Sequence, residues 1–106
     1  MTQQLRIYQL NPKLREEFYE RFKTHAMPIM QSHGLKIISM WESEADGKLE
    51  FAYIIEAEDE AILLAKLNNF LADEAWIAVK NQTREKYGEM VLGKEERILN
   101  TIELDK

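Results

Sequence analysis

The sequence predicts an α+β domain built on one antiparallel sheet with its helices on a single face. Three observations carry this. Strand-like and helix-like runs follow one another in the order strand, helix, strand, strand, helix, strand. An Asp46-Gly47 step joins the middle two strands, as in a tight hairpin. The strand runs are also apolar on both of their alternating sides, so they need more cover than the helices supply.

Residues 5–10 form the first strand, with Leu5 and Ile7 on one side and Arg6, Tyr8 and Leu10 on the other. Asn11 is a good helix cap, and Pro12 at the first helical position sacrifices no needed N–H. That helix is expected to run to His33 and stop at Gly34. Its apolar stripe is Leu14, Phe18, Phe22, Ile29 and Met30. Pro28 lies inside it and crowds the Thr24 carbonyl, so a kink is expected over residues 25–28.

Residues 35–43 and 49–57 form the second and third strands. In the second, Leu35, Ile37 and Trp41 are expected on one face, with Ile38 and Met40 opposite. In the third, Leu49, Phe51, Tyr53 and Ile55 share a face, with Ala52 and Ile54 behind them. Glu58-Asp59 opens a helix over residues 60–71. Asp73 caps a further helix over residues 74–87, with Trp76, Val79, Thr83 and Tyr87 on one face. Gly88 ends it, and residues 90–102 form a last strand, bulged near Gly93. This β-α-β-β-α-β order is the split pattern of ferredoxin-like folds, with the first and third strands central.

Helices cover only one side of such a sheet. Leaving several large apolar groups in water on the other side forfeits several kcal/mol, at about 25 cal/mol per Å². A second copy of the chain, related by two-fold symmetry, is the expected cover. A homodimer is therefore predicted.

Composition narrows the function. The 106 residues fit a single domain, 1–106, with 45% apolar and 31% charged residues. Acidic residues number 19 against 14 basic, for a net charge of -5, which disfavours nucleic acid and anionic membranes as partners. There is no cysteine, so no disulfide, thiolate nucleophile or cysteine-based metal site exists. No apolar run approaches the roughly 20 residues of a membrane span, and a cytoplasmic location is expected.

Six segments resemble the NIPSNAP family: Leu5-Arg6-Ile7-Tyr8, the run from His25 to Met30, His33-Gly34-Leu35-Lys36, Met40-Trp41-Glu42-Ser43, Asp73-Glu74-Ala75-Trp76 and Glu96-Arg97-Ile98-Leu99. They occur in order along nearly the whole chain, although the family often carries proline where Glu74 or Ala75 stands here. The resemblance implies a dimeric α/β barrel, in which two ferredoxin-like protomers pack sheet to sheet. It implies no uniform reaction.

The candidate site residues come from side-chain chemistry. His25, beside the expected kink, is the one candidate for acid–base catalysis, because an imidazole titrates near neutral pH. His33 lies about 12 Å further along the helix and about 80° round it, so the two histidines do not form a metal pair. Tyr8, Trp41, Tyr53 and Trp76 are candidate walls of an apolar ligand pocket. Arg97 either pairs with Glu95 or holds an anionic ligand, and Arg6 poses the same question. No metal or cofactor is expected. The sequence is read as a small-molecule-binding or interaction module, with a cofactor-independent monooxygenase or isomerase as the alternative.

Overall fold

The computed structural model describes residues 1–104, so the last two residues of the expected domain lie outside the described residues. The chain begins with β1 (Thr2–Leu10). Asn11 then accepts the Lys13 N–H at 3.1 Å and starts a short 3-10 turn, Pro12–Leu14. This leads into α1 (Arg15–Arg21). A π-helical turn, Phe22–Ala26, follows, in which the Met27 N–H reaches back to the Phe22 carbonyl. α2 (Met27–Ser32) carries Pro28 in its first turn.

The bend expected around Pro28 thus takes the form of a widened turn. The backbone stays helical through Ala26 and Met27, so Pro28 lies inside one continuous helical run, and the wider turn before it takes up the misfit of its ring. Gly34, at φ +81°, closes the segment.

β2 (Lys36–Ala45) and β3 (Lys48–Ala57) form the expected hairpin. Asp46 and Gly47 both have positive φ, +54° and +74°, as a tight two-residue turn between right-twisted strands demands. Asp59 accepts the Ile62 N–H at 2.8 Å and starts α3 (Glu60–Leu71). Asp73 accepts the Ala75 N–H at 2.8 Å and starts α4 (Glu74–Tyr87). β4 (Val91–Asn100) completes the sheet. The strand order is β2-β3-β1-β4, all antiparallel, with β1 and β3 central as expected.

One face assignment is corrected. The register between β2 and β3 shifts between Ile37 and Ser39, so Ile38 is an extra, unpaired residue. Such a bulge reverses the side on which later residues point. Ile37 and Met40 lie opposite Ile55 and Tyr53 on the helix side, whereas Trp41 lies opposite Ala52 on the bare side, so Met40 and Trp41 both change faces from those expected. The second bulge places Gln9 opposite Gly93 and Leu10 opposite Val91, leaving Leu92 as the extra residue beside the expected Gly93.

The core lies between the sheet and the helices. Phe18, Phe22 and Met30 pack with Leu63, Leu67, Phe70 and Trp76 over Leu10, Phe51, Tyr53 and Ile55. Phe22 sits edge-on to both Phe51 and Tyr53, at centroid distances of 4.9 and 5.1 Å. Phe70 stacks on Trp76 at 5.2 Å, which docks α4 by its only buried side chain. Each such ring contributes about 1.5–3 kcal/mol by leaving water.

The far face of the sheet has no helix over it. Leu5, Ile7, Ala52, Ile54 and Leu99 share this face with Trp41, which is 51% exposed. Along its shortest axis the molecule measures only 18 Å, two layers deep. No helix among the described residues is long and apolar enough to cross a membrane.

Asp73 also ties the two helical ends together, because its second carboxylate oxygen lies 2.7 Å from His33 Nε2. The hydrogen bond to His33 and the backbone N–H groups of Ala75 and Trp76 hold the Asp73 carboxyl below the ordinary aspartate value. A depressed folded-state pKa stabilises the fold above the unfolded value of about 3.9, and this is lost as pH falls through the folded value. Asp73→Ala is therefore expected to lower Tm at pH 7, and the gap from wild type should narrow below about pH 4. Thermal melts across pH 2.5–7 check this.

Candidate functional site

The side of β1 that faces the helices is polar. Thr2, Gln4 and Arg6 are all buried there, while the apolar Leu5 and Ile7 point to the bare face. Arg6 is only 2% exposed at the centre of the sheet. A buried guanidinium survives only if its donors are matched. Its Nε donates to the Tyr53 hydroxyl at 2.9 Å, and its Nη2 to the Tyr8 hydroxyl at 3.1 Å. Its Nη1 donates to Gln4 Oε1 at 2.8 Å and pairs with Glu96 Oε2 from β4. Burial opposes the charge, but the two tyrosine oxygens and Glu96 outweigh it and raise the pKa of Arg6. Burial also pushes the Tyr53 hydroxyl well above its ordinary value, with Tyr8 adding to the rise.

Tyr8 and Tyr53 place their oxygens 2.7 Å apart, so one hydroxyl donates to the other. If Tyr8 donated, the hydrogen on the fully buried Tyr53 would have no acceptor among the bonds present. The satisfied arrangement has Tyr53 donating to Tyr8. The Tyr8 O–H is then free to donate into the space beside it.

That space is a cavity of about 150 Å³ between β1, β4 and the helices. Its wall includes Tyr8, Phe18, Phe22, Met30, Phe70 and Trp76. The π-helical turn sets Ala26 against it, and this small side chain leaves the space open. Four basic residues, Arg6, Arg21, Lys80 and Lys94, line it and no acidic residue does. Arg21 and Lys80 flank the Trp76 ring at 5.4 and 5.7 Å from its centroid. Arg21 also donates to the Thr83 hydroxyl at 3.0 Å.

The predicted site residues divide among three places. Tyr8 and Trp76 line the cavity, and Tyr53 lies beneath it, joined to Tyr8. Trp41 and Arg97 project from the bare face, where Arg97 donates to Glu95 at 3.0 Å. His25 is exposed on the π-helical turn and lines a separate surface groove with Gln82, Lys86 and Tyr87. The structure therefore does not bring His25, Trp41 or Arg97 to this cavity. Among the described residues, no group of three His, Cys, Asp or Glu side chains is placed to hold a metal ion.

Of the four basic cavity residues, the sequence raised Arg6 as a group that pairs or holds an anion, but not Arg21, Lys80 or Lys94. Two left a trace in the sequence. Arg6 alternates with Tyr8 on the side of β1 away from Leu5 and Ile7, and Lys80 follows Trp76 by one helical turn. Lys94 joins them only through the long-range pairing of β4 with β1.

Fold and cavity together define a ferredoxin-like α+β protein with a pocket between sheet and helices. The NIPSNAP family model matches residues 3–104, and the chain belongs to that family. An uncharacterized NIPSNAP domain protein from Burkholderia xenovorans superposes with a TM-score of 0.80 at 14% identity, covering 100% of this chain and 99% of that one. A NIPSNAP family protein from Agrobacterium tumefaciens gives 0.80 at 13% identity, covering 95% and 92%. A putative antibiotic biosynthesis monooxygenase from Nitrosomonas europaea gives 0.65 at 11% identity, covering 97% and 100%. At these identities the likeness is one of fold. No curated protein matches the chain.

The hydroxyl network is testable by one atom. Tyr53→Phe keeps the ring but leaves Arg6 Nε without its best acceptor. Urea unfolding is expected to show a loss of about 1–3 kcal/mol, the cost of a buried donor left poorly matched.

Proposed function

We propose that this NIPSNAP-family chain is a homodimeric cytoplasmic module that holds a small molecule between its sheet and its helices. The cavity beside Tyr8 carries the reading. It is aromatic-walled, backed by a fixed polar network and fitted with donors, which is the usual make-up of a small-molecule site. A cysteine-free acidic chain suits a reducing compartment. The catalytic alternative assigns proton transfer to His25, which lines a different groove. Binding needs no such group.

The bare face supports the dimer. Four strands of nine or ten residues, about 4.8 Å apart, present roughly 600 Å² per protomer. A stable interface buries roughly 800 Å² per partner, so one such face against its copy is near the needed size. The Cα radius of gyration is 14.7 Å, above the roughly 13 Å of a compact monomer of this length.

Two measurements check this reading. Sedimentation is expected to give a dimer at micromolar concentration, and Ile54→Glu, on the bare face opposite Leu5, should give a monomer. A stable wild-type monomer would contradict the dimer. In thermal shift, phenol, benzamide and benzoate at millimolar concentration test the cavity. At least one is expected to raise Tm in the wild type, and Ala26→Leu, which fills the space, should abolish the rise. No rise with any of the three would contradict the binding reading.

A further inference from the structure

We infer that the cavity takes a small organic anion: a compact apolar body, no larger than one aromatic ring, carrying a single carboxylate that sits at the cavity mouth. This rests on the cavity being a binding site, and adds the chemical class of its occupant.

Charge is the first argument. The chain carries 19 acidic and 14 basic residues, so a random patch of its surface should hold more acids than bases. This cavity has the reverse, with four basic residues and no acidic one. Glu96 answers Arg6. Among the described residues, Arg21, Lys80 and Lys94 form no ion pair. The one acid that lines the adjoining groove with them, Glu89, is engaged by Arg84, so three cations converge with no anion inside the cavity, and a ligand can supply one.

The proton affinities agree. Burial first, then the nearby cations Arg21, Lys94 and Arg84, lowers the pKa of Lys80. Burial also lowers that of Arg21, against the pull of Tyr8 and Glu89. A bound carboxylate relieves both. The Tyr8 O–H adds a neutral donor on the same wall, left over once Arg6 and Tyr53 are satisfied.

Position and size give the rest of the ligand. Arg21 and Lys80 are half-buried and Lys94 is exposed, whereas Phe22, Ala26, Met30 and Phe70 are buried, so the cations stand at the mouth, where they also border a second groove of about 430 Å³. Phe22, Met30 and Phe70 lie with Ala26 along the apolar part of the cavity. A volume of about 150 Å³ is that of an apolar cavity able to accept benzene. An acid with one ring fits, with its carboxylate toward the cations. A nucleotide does not.

Calorimetric titration of the wild-type protein with benzoate and with its neutral isostere benzamide tests this. Benzoate is expected to bind about tenfold more tightly than benzamide. Lys80→Met and the more exposed Lys94→Gln should each weaken benzoate about three- to tenfold and leave benzamide unchanged. Equal affinity for the two compounds would overturn the anion inference and leave the binding reading standing. So would unchanged benzoate affinity in both variants. Binding of neither compound at about 10 mM would overturn the binding reading itself, and the inference with it.

Discussion

A guanidinium buried in the middle of a β-sheet is the constraint on which this structure turns. An ionised group removed from water needs each of its donor nitrogens partnered, or its burial costs several kcal/mol. Arg6 meets that demand with Gln4, Tyr8, Tyr53 and Glu96, drawn from three strands. The helix-facing side of β1 has to be polar as a result. Since side chains alternate along a strand, Leu5 and Ile7 are sent to the opposite face. The same choice keeps the space beside Tyr8 from collapsing into ordinary core, because a polar wall cannot be closed over by aliphatic groups without loss.

The two faces of the sheet consequently do different work. On the helix side, aromatic packing is continuous from Leu10 to Ile55 but opens at Ala26 into a cavity ringed by cations. On the bare side, Trp41, Ile54, Leu5 and Ile7 form an apolar strip that no helix covers, flanked by charged groups such as Arg97 and Glu95. The NIPSNAP relatives and the monooxygenase-like protein share the fold, and fold alone does not fix chemistry. The chemistry of this chain is argued instead from the groups at its cavity: unpaired cations, a free phenol donor and an apolar floor.

Much of the architecture was legible in the sequence. The caps Asp59 and Asp73 fixed the starts of α3 and α4, because an aspartate that accepts the first free N–H groups works by local geometry alone. Asp46-Gly47 fixed the hairpin for the same reason. The bulge at Ile38 was not legible, since nothing in the local pattern marks an extra residue in an apolar run, and it moved Trp41 to the other face from Ile37. The widened turn before Pro28 was legible only as a bend. The site was half legible. Tyr8, Tyr53 and Trp76 stand out as large amphipathic rings. The convergence of Arg21, Lys80 and Lys94 depends on contacts between elements far apart in the chain, which periodicity does not encode.

The central claim, that one face binds and the other dimerises, is open to a single spectrum. The chain has two tryptophans, Trp76 against the cavity and Trp41 on the bare face. Their indole N–H resonances can be followed in a 15N-labelled sample, first on dilution and then on addition of benzoate. The account predicts that dilution moves Trp41 and leaves Trp76, and that benzoate moves Trp76 and leaves Trp41. A Trp41 resonance indifferent to dilution, or a benzoate response at Trp41 in place of Trp76, would contradict it.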